Sequence, residues 1–152
     1  MRPADPGDLD IGPIIVAHLA HSRASTPAAS IHAMDADTLR AAGVQFFALM
    51  LDGRAIGCGA LKPLTDGSVE VKSVHVLAAH RGQGHARRIM VHLIGVAQAG
   101  GYSAMVLETG SALLPGFDAA RALYERLGFD YCGPIPGYAA DPNAAFMRRD
   151  LP

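Results

Sequence analysis

Apolar residues change their spacing several times along the chain, and each change delimits an element. Ile11, Ile14, Ile15, His18 and Leu19 fall on one helical face. Pro3 and Pro6 limit anything earlier to the stump of a strand, and Asp5 or Asp8 is placed to cap a helix beginning near Leu9. After a Ser/Thr/Pro break at 23–29, a second helical pattern runs over 30–42, with Ser30 as its cap and Ile31, Met34 and Leu39 as apolar contacts. The period then shortens. Two apolar runs, 44–51 and 54–61, flank Asp52-Gly53, the clearest hairpin signal in the chain, because Asp-Gly supplies the positive φ angles of a tight turn. A turn at 65–68 leads into a third strand, 69–77, and completes an antiparallel meander.

The second half alternates helices with strands. After a glycine-punctuated turn, a helix places Ala86, Ile89, Met90, Leu93 and Ala97 on one stripe and ends at Gly100-Gly101. The strand 103–109 follows, with Ala104, Val106 and Glu108 on one face, so that strand, helix and strand predict a right-handed parallel crossover. Asp118 is read as the cap of a helix through Leu127 whose inner stripe is Ala120, Leu123, Tyr124 and Leu127. Segments 129–132 and 144–151 close the sheet as a hairpin around a Gly/Pro loop at 133–143. The sum is an α+β domain with a mixed, mainly antiparallel sheet.

Length and charge narrow the function classes. A chain of 152 residues forms one domain, 1–152. With 13 Lys and Arg against 14 Asp and Glu it lacks the excess positive charge of a nucleic-acid surface. The apolar run 11–20 is about half a bilayer span and follows acidic residues, so neither a membrane segment nor a signal peptide is expected. Cys58 and Cys132 sit far apart in apolar strands, which predicts two reduced, mostly buried thiols in a cytoplasmic protein. Seven histidines include His18, His21 and His32, but no metal-ligand motif accompanies them and no metal is expected.

The turn Arg81-Gly82-Gln83-Gly84-His85-Ala86 opens directly into a helix. Unpaired N–H groups at the positive end of a helix dipole, beside glycines that permit close approach, form an anion cradle. Three readings compete: a structural helix cap, a dinucleotide-binding fingerprint, or an acyl-CoA site. The fingerprint's third glycine is Arg87, and only 43 residues follow Thr109, too few for a doubly wound sheet. No Walker lysine follows the turn.

Arg81-x-x-Gly84-x-Ala86 resembles the pyrophosphate-binding signature of the GNAT superfamily of N-acetyltransferases, and residues 122–129, ALYERLGF, resemble that family's tyrosine-bearing helix. Blocks at 57–62, 69–73, 107–111, 131–134 and 141–143 extend the resemblance to a small bacterial subgroup often labelled indole acetic acid acetyltransferase. It departs at the N-terminus, where the first strand is reduced to three or four residues.

The resemblance implies a GNAT-type sheet with a splayed parallel strand pair and helices on both faces. It also implies transfer of acetyl from acetyl-CoA to an amine of a small molecule or peptide, by direct attack through a tetrahedral oxyanion. The alternative is a non-catalytic acyl-CoA-binding domain of the same fold. By resemblance, the amides of Gln83 to Arg87 hold the pyrophosphate, with Gly82, Gly84, His85 and Ala86 forming the cradle and Arg81, Arg87 or Arg88 adding charge. Val74, His75 and Val76 would offer backbone groups to the pantetheine arm. Tyr124 is the expected general acid, and Glu70 and Glu108 are the candidate bases, with Glu70 read as sharing a strand face with Val74 and Val76. His18, Arg23 and His32 are expected in the acceptor pocket. Family habit suggests a homodimer.

Overall fold

The computed structural model describes residues 1–40 and 43–152. The chain enters through a two-residue strand, β1 (Arg2–Pro3), followed by helix α1 (Gly12–Ser25) and a short helix α2 (Ala36–Arg40). Helix α1 starts later than the Asp caps predict. Residues 6–11 are turns, the Asp8 carbonyl accepts the Ile11 and Gly12 N–H groups, and Pro13 occupies the first helical turn without needing an N–H. The second helix is shorter than predicted because Asp35, rather than Ser30, supplies the capping oxygen, accepting the Thr38 N–H at 2.9 Å. Its two predicted last positions, Ala41 and Ala42, lie outside the described residues.

The meander forms as expected. Strands β2 (Gln45–Leu51) and β3 (Arg54–Pro63) meet at Asp52 and Gly53, with φ of 48° and 77°. Strand β4 (Val69–Val76) pairs with β3, but the register shifts between Cys58 and Ala60, opposite Ser73, which takes the left-handed φ of 54°. This bulge exchanges the faces of β4. Val69, Val71, Val74 and Val76 all join one core. Glu70, Lys72 and His75 lie on the other face, where the His75 ring approaches His18 and His21 of α1. Simple alternation puts Glu70 beside Val74 and Val76, and the extra residue overturns it.

Helix α3 (His85–Ala99), strand β5 (Ala104–Gly110), helix α4 (Asp118–Arg126) and strands β6 (Asp130–Cys132) and β7 (Ala144–Asp150) complete a seven-stranded sheet of order β1-β2-β3-β4-β5-β7-β6. Helices α3 and α4 cover one face and α1 the other. Among the described residues only β4 and β5 run parallel, and they pair at Val69 with Met105 and Glu70 with Val106 before diverging. Asp118 is the first residue of α4, not its cap, and its carboxylate pairs instead with Arg121. Cys58 is buried and its thiol donates to the Ser73 carbonyl at 3.1 Å. Cys132, expected to be mostly buried, is exposed because β6 is the edge strand of the sheet among the described residues. No helix among the described residues is long and apolar enough to cross a membrane.

Glycines on β3 let α3 lie directly on the sheet backbone. A Cβ on Gly59 would stand 2.7 Å from Ile89 Cγ2 and 3.0 Å from Leu93 Cδ1. Gly59→Ala is therefore expected to cost about 1–3 kcal/mol, a fall in Tm of roughly 3–10 °C. Gly95 is exposed inside α3, and a Cβ there would meet nothing within 4 Å, so Gly95→Ala is expected to gain about 0.5–1 kcal/mol. Thermal and urea unfolding of both variants checks this; a Gly59→Ala protein as stable as its parent would refute the close packing.

Candidate functional site

Beyond their two paired positions, β4 and β5 open a cleft of about 590 Å³, walled by α1, α4 and the start of α3. At one end is the glycine turn. Gly82 and Gly84 have φ of 76° and 78°, Gly84 occupies the N-cap of α3, and Arg88 makes the first bond onto it, its N–H reaching the Gly84 carbonyl at 3.1 Å. Among the described residues, the N–H groups of positions 82 to 87 have no backbone partner. A Cβ on either glycine would meet nothing, so conformation alone demands glycine here. Arg87 and Arg126 line this end, whereas the Gln83 side chain does not.

Arg81 turns inward. Its Nε donates to the Val76 carbonyl at 3.0 Å, and its Nη2 lies 3.5 Å from His75 Nε2. Because the Leu77 N–H bonds Ile56 across the β3 pairing, alternation directs the Val76 N–H and C=O into the gap. Arg81 occupies the carbonyl and leaves the N–H. His75 is buried against α1, its ring 5.4 Å from that of His18. Burial, reinforced by neighbouring positive groups, lowers the pKa of both His18 and His75 to about 4. His85 is buried at the first turn of α3, and neither ring nitrogen has a partner among the described residues.

The two candidate bases sit in different surroundings. Glu70 is 2% exposed, and its Oε1 accepts from Lys72 Nζ at 3.1 Å and from the Tyr138 hydroxyl at 2.5 Å. Lys72 Nζ also donates to the Tyr138 oxygen at 2.6 Å, so the three close on one another. Glu108 lines the cleft with its side chain 16% exposed, and its Oε1 lies 3.5 Å from His32 Nδ1. Burial raises the Glu108 pKa above the ordinary carboxylate range, partly offset by His32.

Tyr124 faces the same cleft from α4, 8% exposed, with its pKa pushed up to about 12 by burial. Its helix is tied to the end of β5 by Arg121, whose Nη1 donates at 2.6 Å to the carbonyls of both Gly110 and Ser111. Phe117 packs where a Cβ on Gly110 would stand. His18 and His32 line the cleft, but Arg23 is exposed on the last turn of α1 and does not. Lys72 pairs with Glu70, the ion-pair partner its place in the same strand offers, whereas the sequence does not single out Tyr138 or Arg121. Tyr138 carries one signal, the single aromatic ring of the 133–143 loop; Arg121 carries none, because its partners are backbone carbonyls. Among the described residues no group of three or more His, Cys, Asp or Glu is arranged to hold a metal ion.

Comparison with known proteins bears on the family and the fold. The sequence profile of the Acetyltransferase (GNAT) family matches residues 17–129. The uncharacterized N-acetyltransferase YsnE of Bacillus subtilis is 39% identical over 134 residues, 88% of this chain and 87% of that protein. The IAA acetyltransferase of Azospirillum brasilense is 37% identical over 127 residues, 82% of this chain and 80% of that protein. A crystal structure from Klebsiella pneumoniae, of a protein named as an acyl-CoA N-acyltransferase, superposes with a TM-score of 0.78 at 27% identity, covering 99% of this chain and 95% of that one.

The buried imidazoles carry a pH dependence. His18 and His75 have folded pKa values near 4, below the 6.5 of a free imidazole. Between those values the unfolded chain binds more protons, so stability is fully present above about pH 6.5 and is lost as pH falls toward 4. Two such groups give a slope of up to about 2.7 kcal/mol per pH unit. Urea unfolding between pH 7.5 and 4.5 should show this slope, and His18→Gln should roughly halve it; a slope unchanged by the substitution would mean that His18 titrates as in the unfolded chain.

Proposed function

The chain belongs to the GNAT acetyltransferase family and is a GNAT-type N-acetyltransferase, and from that premise we propose that it transfers acetyl from acetyl-CoA to an amine of a small molecule or peptide within one ternary complex. One observation carries the proposal: the cradle at the start of α3, the free edges of β4 and β5, and Tyr124 all open onto a single cleft. The unpaired amides at 82 to 87 and the exposed Arg87 and Arg126 fit a pyrophosphate. The edges of the gap, including the Val76 N–H, fit the amide-bearing pantetheine arm. Bound acetyl-CoA would supply an activated acyl carbon and a sulfur leaving group.

The remaining roles belong to the chain's own side chains. Tyr124 keeps its proton throughout the neutral range, because burial raises its pKa, and so holds a hydrogen available to a departing sulfur. Two features support Glu108 over Glu70 as the group that takes the amine's proton. Lys72 and Tyr138 both engage Oε1 of Glu70, and Glu70 is almost fully enclosed. Glu108 faces the cleft with a raised pKa, which makes it a stronger base than an ordinary carboxylate. His32, beside Glu108 and exposed, gives the proton an exit to solvent. Arg81 holds the Val76 carbonyl and thereby the bend where β4 leaves the sheet.

Tyr124→Phe is expected to lower kcat by about 10²-fold or more with the Kd for acetyl-CoA little changed, measured as thiol release with an active amine and as calorimetric binding. An undiminished kcat in the folded variant would remove Tyr124 from the chemistry. Glu108→Gln should abolish the acidic limb of the kcat/KM pH profile, whereas Glu70→Gln should leave that limb in place; the reverse pattern would transfer the base role to Glu70.

A further inference from the structure

The two ends of the cleft differ in charge. Arg87 and Arg126 line the cradle end, and Arg81 stands between the two ends, its Nη2 3.5 Å from His75 Nε2. At the acceptor end the one cation lining the cleft among the described residues is Lys72, and its charge is already matched. Its Nζ lies 3.1 Å from Glu70 and 2.6 Å from the Tyr138 hydroxyl, and 5.3 Å from the centre of the Tyr138 ring. The imidazoles that face this end from α1 and β4 add no positive charge near neutral pH, since burial holds His18, His21 and His75 below their ordinary pKa. Glu108 is then the acid without a cation of its own, with His32 at 3.5 Å as its partner. Ile31 and Met34 line this end with apolar surface.

Building on the acetyltransferase reading, we propose that the acceptor half selects a primary amine with an apolar body and no carboxylate beside the amine. Such an acceptor presents its ammonium to Glu108 and its body to Ile31 and Met34. A free α-amino acid would bring its carboxylate into the same low-dielectric space, where Glu108 repels it and Lys72 is already engaged by Glu70. The discrimination is thus built from a repulsion as well as an attraction. Its source is the Glu70–Lys72–Tyr138 closure, which removes the one cation that would otherwise welcome an acid.

The test compares phenethylamine, phenylalaninamide and phenylalanine, together with tyramine, tyrosinamide and tyrosine, by thiol release from acetyl-CoA. The amines and amides should exceed the parent acids at least tenfold in kcat/KM; acids that match or exceed them overturn the proposal. In Glu70→Gln, Lys72 loses its counter-charge and the gap should narrow at least threefold. Ratios taken within one variant cancel any loss common to all acceptors. If that variant does not fold, Lys72→Met removes the cation instead and should widen the gap. A ratio unmoved by the folded variant overturns the electrostatic cause. If no compound releases thiol, the transfer reading fails for this panel, and calorimetric binding to the CoA-loaded protein makes the same comparison. Amines binding at least tenfold tighter than acids sustain the selectivity; equal, reversed or absent binding overturns it.

Discussion

Strands β4 and β5 share backbone pairing only at Val69 with Met105 and Glu70 with Val106, because Ser73 adopts a left-handed conformation a few residues later and bends β4 away. A non-glycine residue in that region costs of order 1–3 kcal/mol and persists only where its surroundings over-determine it. Here the surroundings are explicit. The Ser73 carbonyl accepts the buried Cys58 thiol, and Gly59 leaves room for Ile89 and Leu93 to press against the bulged stretch from the α3 side. Without the divergence, β5 would take up the β4 edge, the cleft would close, and the cradle at the start of α3 would lead nowhere.

The same bulge distributes chemistry between the two faces of β4. Valines at 69, 71, 74 and 76 bury against α3, while Glu70, Lys72 and His75 gather on the α1 side. An enclosed carboxylate and ammonium are costly unless each finds hydrogen bonds as well as opposite charge. The Tyr138 hydroxyl meets that condition, donating to Glu70 and accepting from Lys72. Because Tyr138 comes from the 133–143 loop, the loop is pinned across the acceptor end by a polar contact that a purely apolar β4 could not offer. Its ring also meets Phe146 and His32, so the same residue joins the sheet, the loop and the neighbour of Glu108.

Much of this is legible in the sequence. Asp52-Gly53, the turn into α3, the Gly100-Gly101 stop and the tyrosine helix are local signals, each fixed by the conformational needs of a few adjacent residues. What escapes are consequences of distant contacts. The face of Glu70 relative to Val74 and Val76 depends on one extra residue in β4 at Ser73–Val74, opposite Gly59, which reverses every later side chain and leaves no mark in composition. Arg121 carries no local signal, because its partners are backbone carbonyls that only the meeting of the ends of β5 and α4 supplies. Cys132 looks buried because its neighbours are apolar, yet burial depends on whether another strand follows β6 in space, and none does among the described residues.

Tyr124 and Glu108 come from elements distant in sequence, yet their separation is held by one short linkage. Glu108 projects from β5 two residues before Gly110, and the carbonyls of Gly110 and Ser111 both receive Arg121, one helical turn before Tyr124. Phe117, packed into the space that Gly110 leaves, fixes the angle at which α4 departs. In the proposed roles of proton donor and proton acceptor, Tyr124 and Glu108 would have to hold their spacing to a fraction of an ångström. Charge-assisted bonds from a buried guanidinium to two adjacent carbonyls are stiffer than apolar packing between a helix and a strand end, because a small rotation of α4 would break both at once. Arg121 is therefore the residue through which the rigidity of the sheet reaches the hydroxyl of Tyr124.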